Sequence, residues 1–152
     1  MVASVRYRHA IVDGRRLFYR EAGRGDAPAV VLLHGFPTSS YMFRDLITRL
    51  ADGYHVIAPD YLGFGHSDMP LASEFDYTFD NLAQLTQALL DQLGLDRYAI
   101  YVQDYGAPIG WRLALNRPDS ISAIITQNGN GYDEGFVEGF CKTVWDYQRE
   151  QT

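Results

Sequence analysis

The run Tyr101-Val102-Gln103-Asp104-Tyr105-Gly106-Ala107-Pro108-Ile109-Gly110 places a carboxylate, Asp104, between an apolar strand-like segment and a helix-like one. A sharp strand-to-helix turn lifts the side chain at its apex clear of the sheet and aims the next backbone N–H at the same space. Gly106 supplies the missing side chain that such a turn needs. An aspartate has a reference pKa of about 3.9 and attacks as an anion at neutral pH, with no base to activate it. The chemistry implied is displacement at an electrophilic carbon, leaving an ester on the enzyme.

A second group of residues bears on the same reaction. His34-Gly35-Phe36-Pro37 follows the apolar run Ala29 to Leu33, where a glycine lets backbone come close to a ligand and Pro37 fixes the exit of the chain. The backbone N–H groups of Phe36 and Tyr105 are candidates for a pair of donors on an acyl-Asp104 oxygen. Loss of one such donor typically costs about 10²–10³ in rate. Hydrolysis of the ester also needs a general base for water. All four histidines, His9, His34, His55 and His66, precede Asp104. His34 lies before the loop glycine and is read as holding that loop rather than as the base. Asp60 and Ser67, in Asp60-Tyr61-Leu62-Gly63-Phe64-Gly65-His66-Ser67-Asp68, are expected to bond to loop backbone. Gly63-Phe64-Gly65 lacks the third glycine and the helix start of a dinucleotide fingerprint. Ser39 and Ser40 lie outside any G-x-S-x-G turn and fit the start of a helix better than a nucleophile.

The bulk numbers set limits. A chain of 152 residues with a formal charge of −6 and a pI near 5.0 carries no basic stripe, which argues against nucleic acid and anionic membrane as partners. The single cysteine, Cys141, excludes an intrachain disulfide and reads as a packed small hydrophobe. No Cys or His cluster at ligand spacing implies a metal, and nothing implies a cofactor. The N-terminus has no apolar signal core, and the run Ala29 to Leu33 is far too short to span a bilayer. A soluble, cytoplasmic protein is the expectation.

The elements that must carry these residues follow from periodicity. Arg6 to Ile11 and Arg16 to Arg20, joined by Asp13-Gly14, predict a β-hairpin. Strand-like runs at Ala29 to Leu33, Tyr54 to Ala58, Tyr98 to Val102 and Ile121 to Gln127 then alternate with helix-like ones. The helices are signalled by Phe43, Leu46, Ile47 and Leu50, by Leu82, Leu85, Leu89 and Leu93 with Asp80 as N-cap, and by the stretch from Ala107 to Asn116. Such alternation makes a mostly parallel sheet with helices on both faces. Phe136, Val137, Phe140, Val144, Trp145 and Tyr147 form a broad apolar helical surface beyond the last strand.

Three motifs in order, His34 to Pro37, Asp60 to Asp68 and Val102 to Gly106, resemble the α/β-hydrolase fold superfamily in its aspartate-nucleophile branch of haloalkane dehalogenases and epoxide hydrolases. The resemblance runs from about Val5 to Asp133. It implies an α/β-hydrolase fold that is incomplete at its C-terminal side, with residues 1–130 as the N-terminal part of the core and 131–152 as the start of a helical cap. It further implies Asp104 as the nucleophile, Phe36 and Tyr105 as the oxyanion-hole amides, and His34, Gly35, Phe36 and Tyr105 as the substrate-binding wall. The substrate would be a small electrophile, an epoxide or an alkyl halide. Tyr105 stands where the family commonly has a Trp that helps hold the departing halide, and Phe36 stands where dehalogenases often have a polar residue. The first argues against dehalogenation, although a tyrosine O–H could donate in its place, and the second shifts the balance slightly toward epoxides or another electrophile. The family's acid and histidine have no counterpart after Asp104, so this chain is expected to react once without turning over. The alternatives are a non-catalytic module that binds or self-associates through an uncovered sheet edge and the C-terminal apolar helix, and an esterase-type hydrolase.

Overall fold

The computed structural model describes residues 4–132 together with 139, 142, 146, 147, 149 and 150. The chain opens with an antiparallel hairpin, β1 (Arg6–Val12) and β2 (Arg15–Ala22), turning at Asp13 and Gly14, both at positive φ. There follow β3 (Ala29–Leu33), a short 3-10 turn (Ser40–Phe43), α1 (Arg44–Leu50), β4 (His55–Pro59), α2 (Phe79–Gln92), β5 (Tyr98–Gln103), α3 (Gly106–Asn116) and β6 (Ile121–Gln127). The six strands form one sheet in the order β1-β2-β4-β3-β5-β6, with β4, β3, β5 and β6 parallel.

The unbroken apolar run of β3 reflects burial on both faces of the sheet. Val30 and Leu32 join Phe43, Ile47, Val56 and Ala58 under α1 on one face. Val31 and Leu33 face the other way, against Leu85, Leu89, Ile109 and Leu113 of α2 and α3. This double cover fixes the height at which β3, β4 and β5 end, and those ends carry all three motifs.

Thr78, not Asp80, caps α2. The Thr78 side chain accepts the Asn81 N–H at 3.2 Å, while Asp80 sits in the first turn and accepts from Arg112 at 2.5 Å. Both residue types cap well, and the α3 guanidinium gives Asp80 a tertiary partner instead. At the far side of the sheet, every residue of β6 after Ile121 is exposed. The expected cap segment and the apolar tail, including Cys141, fall mostly on residues outside those described.

No helix among the described residues is long and apolar enough to cross a membrane.

Candidate active site

Three chain ends meet at the top of the parallel strands. β5 ends at Gln103, and Asp104 then takes φ +50°, a conformation uncommon for a residue with a Cβ. The strain is held by what surrounds it. A Cβ on Gly106 would lie 2.1 Å from the Leu33 carbonyl oxygen, so only glycine lets α3 start this close to β3. A Cβ on Gly35 would lie 2.2 Å from Gln103 Oε1 and 2.6 Å from Asp104 Cβ, so the loop after β3 also reaches the apex only through its glycine.

The outcome is a one-sided grip on the carboxylate. The Phe36 N–H donates to Asp104 Oδ1 at 2.8 Å, and the Tyr105 N–H donates to the same oxygen at 2.7 Å. Oδ2 accepts no hydrogen bond from the described residues. One oxygen is therefore held by two backbone amides and the other is left open.

His34 is wholly buried behind this loop. Its Nε2 accepts the Tyr61 N–H at 3.4 Å, which leaves Nδ1–H to donate to the Gly35 carbonyl at 3.0 Å. The ring stacks on Tyr61 at 4.2 Å and meets Phe64 edge-on. Burial holds its pKa below the usual 6.5, against the opposing effects of the Gly35 hydrogen bond and the Asp60 charge. His34 thus holds the loop, as the sequence suggested, and lies behind the pocket wall rather than on it. The Tyr61 hydroxyl is buried without a partner among the described residues, and burial, then the charges of Asp104 and Asp60, push its pKa well up.

Asp60 organises the neighbouring loop. Its Oδ1 accepts the Ser40 N–H at 2.7 Å and its Oδ2 accepts the His66 N–H at 2.9 Å. The Ser67 hydroxyl donates to the Asp60 carbonyl at 2.7 Å and accepts the Phe18 N–H at 2.9 Å. Ser39 caps the 3-10 turn through the Tyr41 N–H. These are the structural roles expected for Asp60, Ser67, Ser39 and Ser40.

Beside the Asp104 turn lies an open pocket of about 510 Å³ that Tyr105 and Phe36, the two residues whose amides hold Asp104, line together with Phe64, Met69, Tyr77, Phe79, Leu82, Gly63 and Pro70; Asp104, His34 and Gly35 are not on its wall. Its rings interlock: Tyr105 contacts Phe36 at 5.2 Å and Phe79 at 5.0 Å. The Tyr77 hydroxyl is already committed to the Pro70 carbonyl. Phe36 and Tyr105 were identifiable from the motifs, whereas Phe64, Met69, Tyr77 and Phe79 were not. The only signal for these was aromatic enrichment between Phe64 and Phe79, in a stretch that reads as loop and helix start.

Comparison with known proteins gives a consistent result. A family model described as the alpha/beta hydrolase fold matches residues 28–151. Over 137 residues the chain is 47% identical to an uncharacterized hydrolase of Saccharomyces cerevisiae, covering 90% of this chain and 47% of the yeast protein. A solved loop variant of a haloalkane dehalogenase from Bradyrhizobium elkanii superposes with a TM-score of 0.76 at 38% identity, over 80% of this chain and 40% of its own. An epoxide hydrolase from Vigna radiata superposes with a TM-score of 0.74 at 35% identity, over 80% and 39%. The chain spans about half the length of the curated relatives it matches, or less.

Proposed function

The chain belongs to the α/β-hydrolase fold family, and from that premise we propose that it carries the nucleophile of a hydrolase that attacks an epoxide or an alkyl halide through Asp104. The observation behind this reading is the convergence of the Phe36 and Tyr105 amides on one oxygen of one carboxylate, at 2.8 and 2.7 Å. Oδ2 forms the new bond to carbon as the carbon–halogen or carbon–oxygen bond breaks; a halide departs with the electron pair, whereas the epoxide oxygen stays on the opened substrate as an alkoxide and takes a proton from water. Oδ1 then becomes the carbonyl oxygen of the ester. When water attacks that ester at Cγ, negative charge develops on Oδ1, where both amides already point and need no reorganisation.

The base for that second step is not evident among the four histidines. His34 has both ring nitrogens engaged. His55 pairs with Glu21 at the opposite end of the strands, and His9 and His66 line a different pocket. The proposal therefore separates two half-reactions: this chain alkylates once, and release of product waits on a base from elsewhere. Incubation with an aryl epoxide tests it. A single stoichiometric adduct is expected, and sustained turnover abolished by Asp104→Asn would place the base within these 152 residues.

The pocket's aromatic and apolar walls suit an apolar substrate. With Phe36 and Tyr105 beside the nucleophile, halide departure has little N–H support, so epoxides should be preferred to chloroalkanes. Direct competition between an aryl epoxide and a chloroalkane checks the order, and a clear preference for the chloroalkane reverses it.

Exposure of β6 favours a second reading, in which this chain self-associates. Ile124 and Ile125 are 46% and 44% exposed on a strand that, among the described residues, is the edge of the sheet with its ladder groups open on one side. Sedimentation should reveal a species heavier than a monomer, and a strictly monomeric chain that binds no hydrophobic dye would dispose of this reading.

A further inference from the structure

A second pocket, of about 590 Å³, lies on the sheet face that carries α1. Register puts it there: Tyr7 pairs with Arg20 and His9 with Phe18 across the hairpin, so these four side chains share a face, and the β4 partner of Arg20, Ala58, is core beneath α1. Tyr41 and His66 add walls from the loops after β3 and β4.

Arg20 is the feature that needs explaining. It is only 7% exposed, and it is the one buried Arg or Lys among the described residues. Its guanidinium carbon sits 4.9 Å from the centre of the Tyr7 ring and 5.5 Å from those of Phe18 and Tyr41. Its Nε donates to Ser40 Oγ at 3.0 Å. The four N–H bonds on its two terminal nitrogens find no acceptor among the described residues, and no carboxylate there pairs with it. Neighbouring acids are turned away or taken: Glu21 lies on the opposite face with Arg6, Arg8 and His55, and Asp68 at the rim holds Arg16.

Ring faces attract a guanidinium but offer no acceptor in its plane. Among the described residues only His55 Nδ1 and the Tyr61 hydroxyl are fully buried without a partner, so the Arg20 fork meets solvent in the pocket and stands open to a ligand. The fork matches the two oxygens of a carboxylate. The pocket far exceeds a bare anion and falls within the range of small-molecule sites, about 300–1,000 Å³. Tyr7 and Tyr41, 64% and 58% exposed, offer aromatic surface for an apolar body. The rings of His9 and His66, both edge-on to Phe18, add donors whose nitrogens bond to no described residue.

We propose that this pocket binds a small organic carboxylate, with the Arg20 fork on its two oxygens and the rings of Tyr7, Phe18 and Tyr41 around its apolar body. The site is distinct from the pocket lined by Phe36 and Tyr105, although the loop from Asp60 to Asp68 forms a wall of each, Phe64 on one side and His66 on the other.

Titration with benzoate, read by calorimetry and by amide NMR, tests the assignment. Saturable binding is expected, with shifts at Tyr7, Ser40 and His66. Arg20→Lys keeps the charge in the aromatic cage but removes the fork, and should weaken binding at least about tenfold. Tyr41→Ala truncates an exposed wall without touching the core and should weaken it about three- to tenfold. Inorganic phosphate at equal ionic strength should bind more weakly than benzoate. No saturable benzoate binding, or binding equally tight in both variants, overturns the site. Tighter binding of phosphate than of benzoate overturns the carboxylate assignment.

Discussion

Asp60 and Asp104 hold matching positions, each just past the C-terminal end of a parallel strand, β4 and β5, on either side of β3. Each accepts two backbone N–H groups, and each is approached through a glycine. A Cβ on Gly65 would lie 2.0 Å from Asp60 Oδ2, as one on Gly35 would crowd Asp104. The difference lies in how the donors are shared. Asp60 is fully buried and gives one oxygen to Ser40 and the other to His66, so its whole carboxylate holds loops together. Asp104 takes both donors on Oδ1 and leaves Oδ2 without a hydrogen bond from the described residues. The same residue type, with the same number of amides, is a clamp in one arrangement and, in the function proposed above, a nucleophile in the other.

The largest separation between the two should come from their own replacement. Asp104→Asn is expected to lower alkylation by an aryl epoxide at least about 10³-fold, with a melting temperature close to that of the parent chain. Mass spectrometry and calorimetry on one sample read both. Asp60→Ala should do the reverse. It leaves the buried Ser40 N–H without an acceptor and unties the His66 N–H, at a cost of about 3 kcal/mol, measured by urea denaturation. An Asp60→Ala chain as stable as the parent would erase the distinction drawn here.

The paired glycines give a finer test. Gly35→Ala and Gly65→Ala each force a Cβ into a carboxylate's surroundings, and Gly65 also sits at φ +54°, so both should lose roughly 2 kcal/mol or more. Only Gly35→Ala should also slow alkylation among the molecules that remain folded.

The smallest effect concerns pH, through His34. Because burial depresses its pKa below 6.5, the unfolded chain binds a proton there that the folded chain refuses. Stability should therefore fall as pH drops below about 6.5. Glu21 adds a loss below 4.5: burial raises its pKa, but the hydrogen bonds and charges of His55, Arg6 and Arg8 bring it below that ordinary value. Thermal melts from pH 7.5 to 4 check both, and His34→Asn should flatten the upper part of the curve.

Much of this arrangement is readable in the chain itself, because local signals and tertiary structure agree. The alternation of apolar runs gave β3 and β6 to the residue, and Asp13-Gly14 marked the hairpin. Asp104 stood out because a carboxylate between a strand-like and a helix-like run is rare unless it serves a purpose. Other features depend on contacts that spacing does not encode. Thr78 and Asp80 are equally good caps on paper, and Arg112, 32 residues after Asp80, decided between them. That the Phe36 and Tyr105 amides share one oxygen rests on the height at which β3 and β5 end. Arg20 reads as an ordinary polar residue on a hairpin strand, since the rings that bury it come from three separate segments.

The account stands most directly on where a reactive epoxide attaches. Peptide mapping of the folded chain after exposure to an aryl epoxide, with circular dichroism confirming the fold, should find one adduct, on Asp104, absent from Asp104→Asn. A folded chain that stays unlabelled, or one labelled to the same extent after Asp104→Asn, would contradict it.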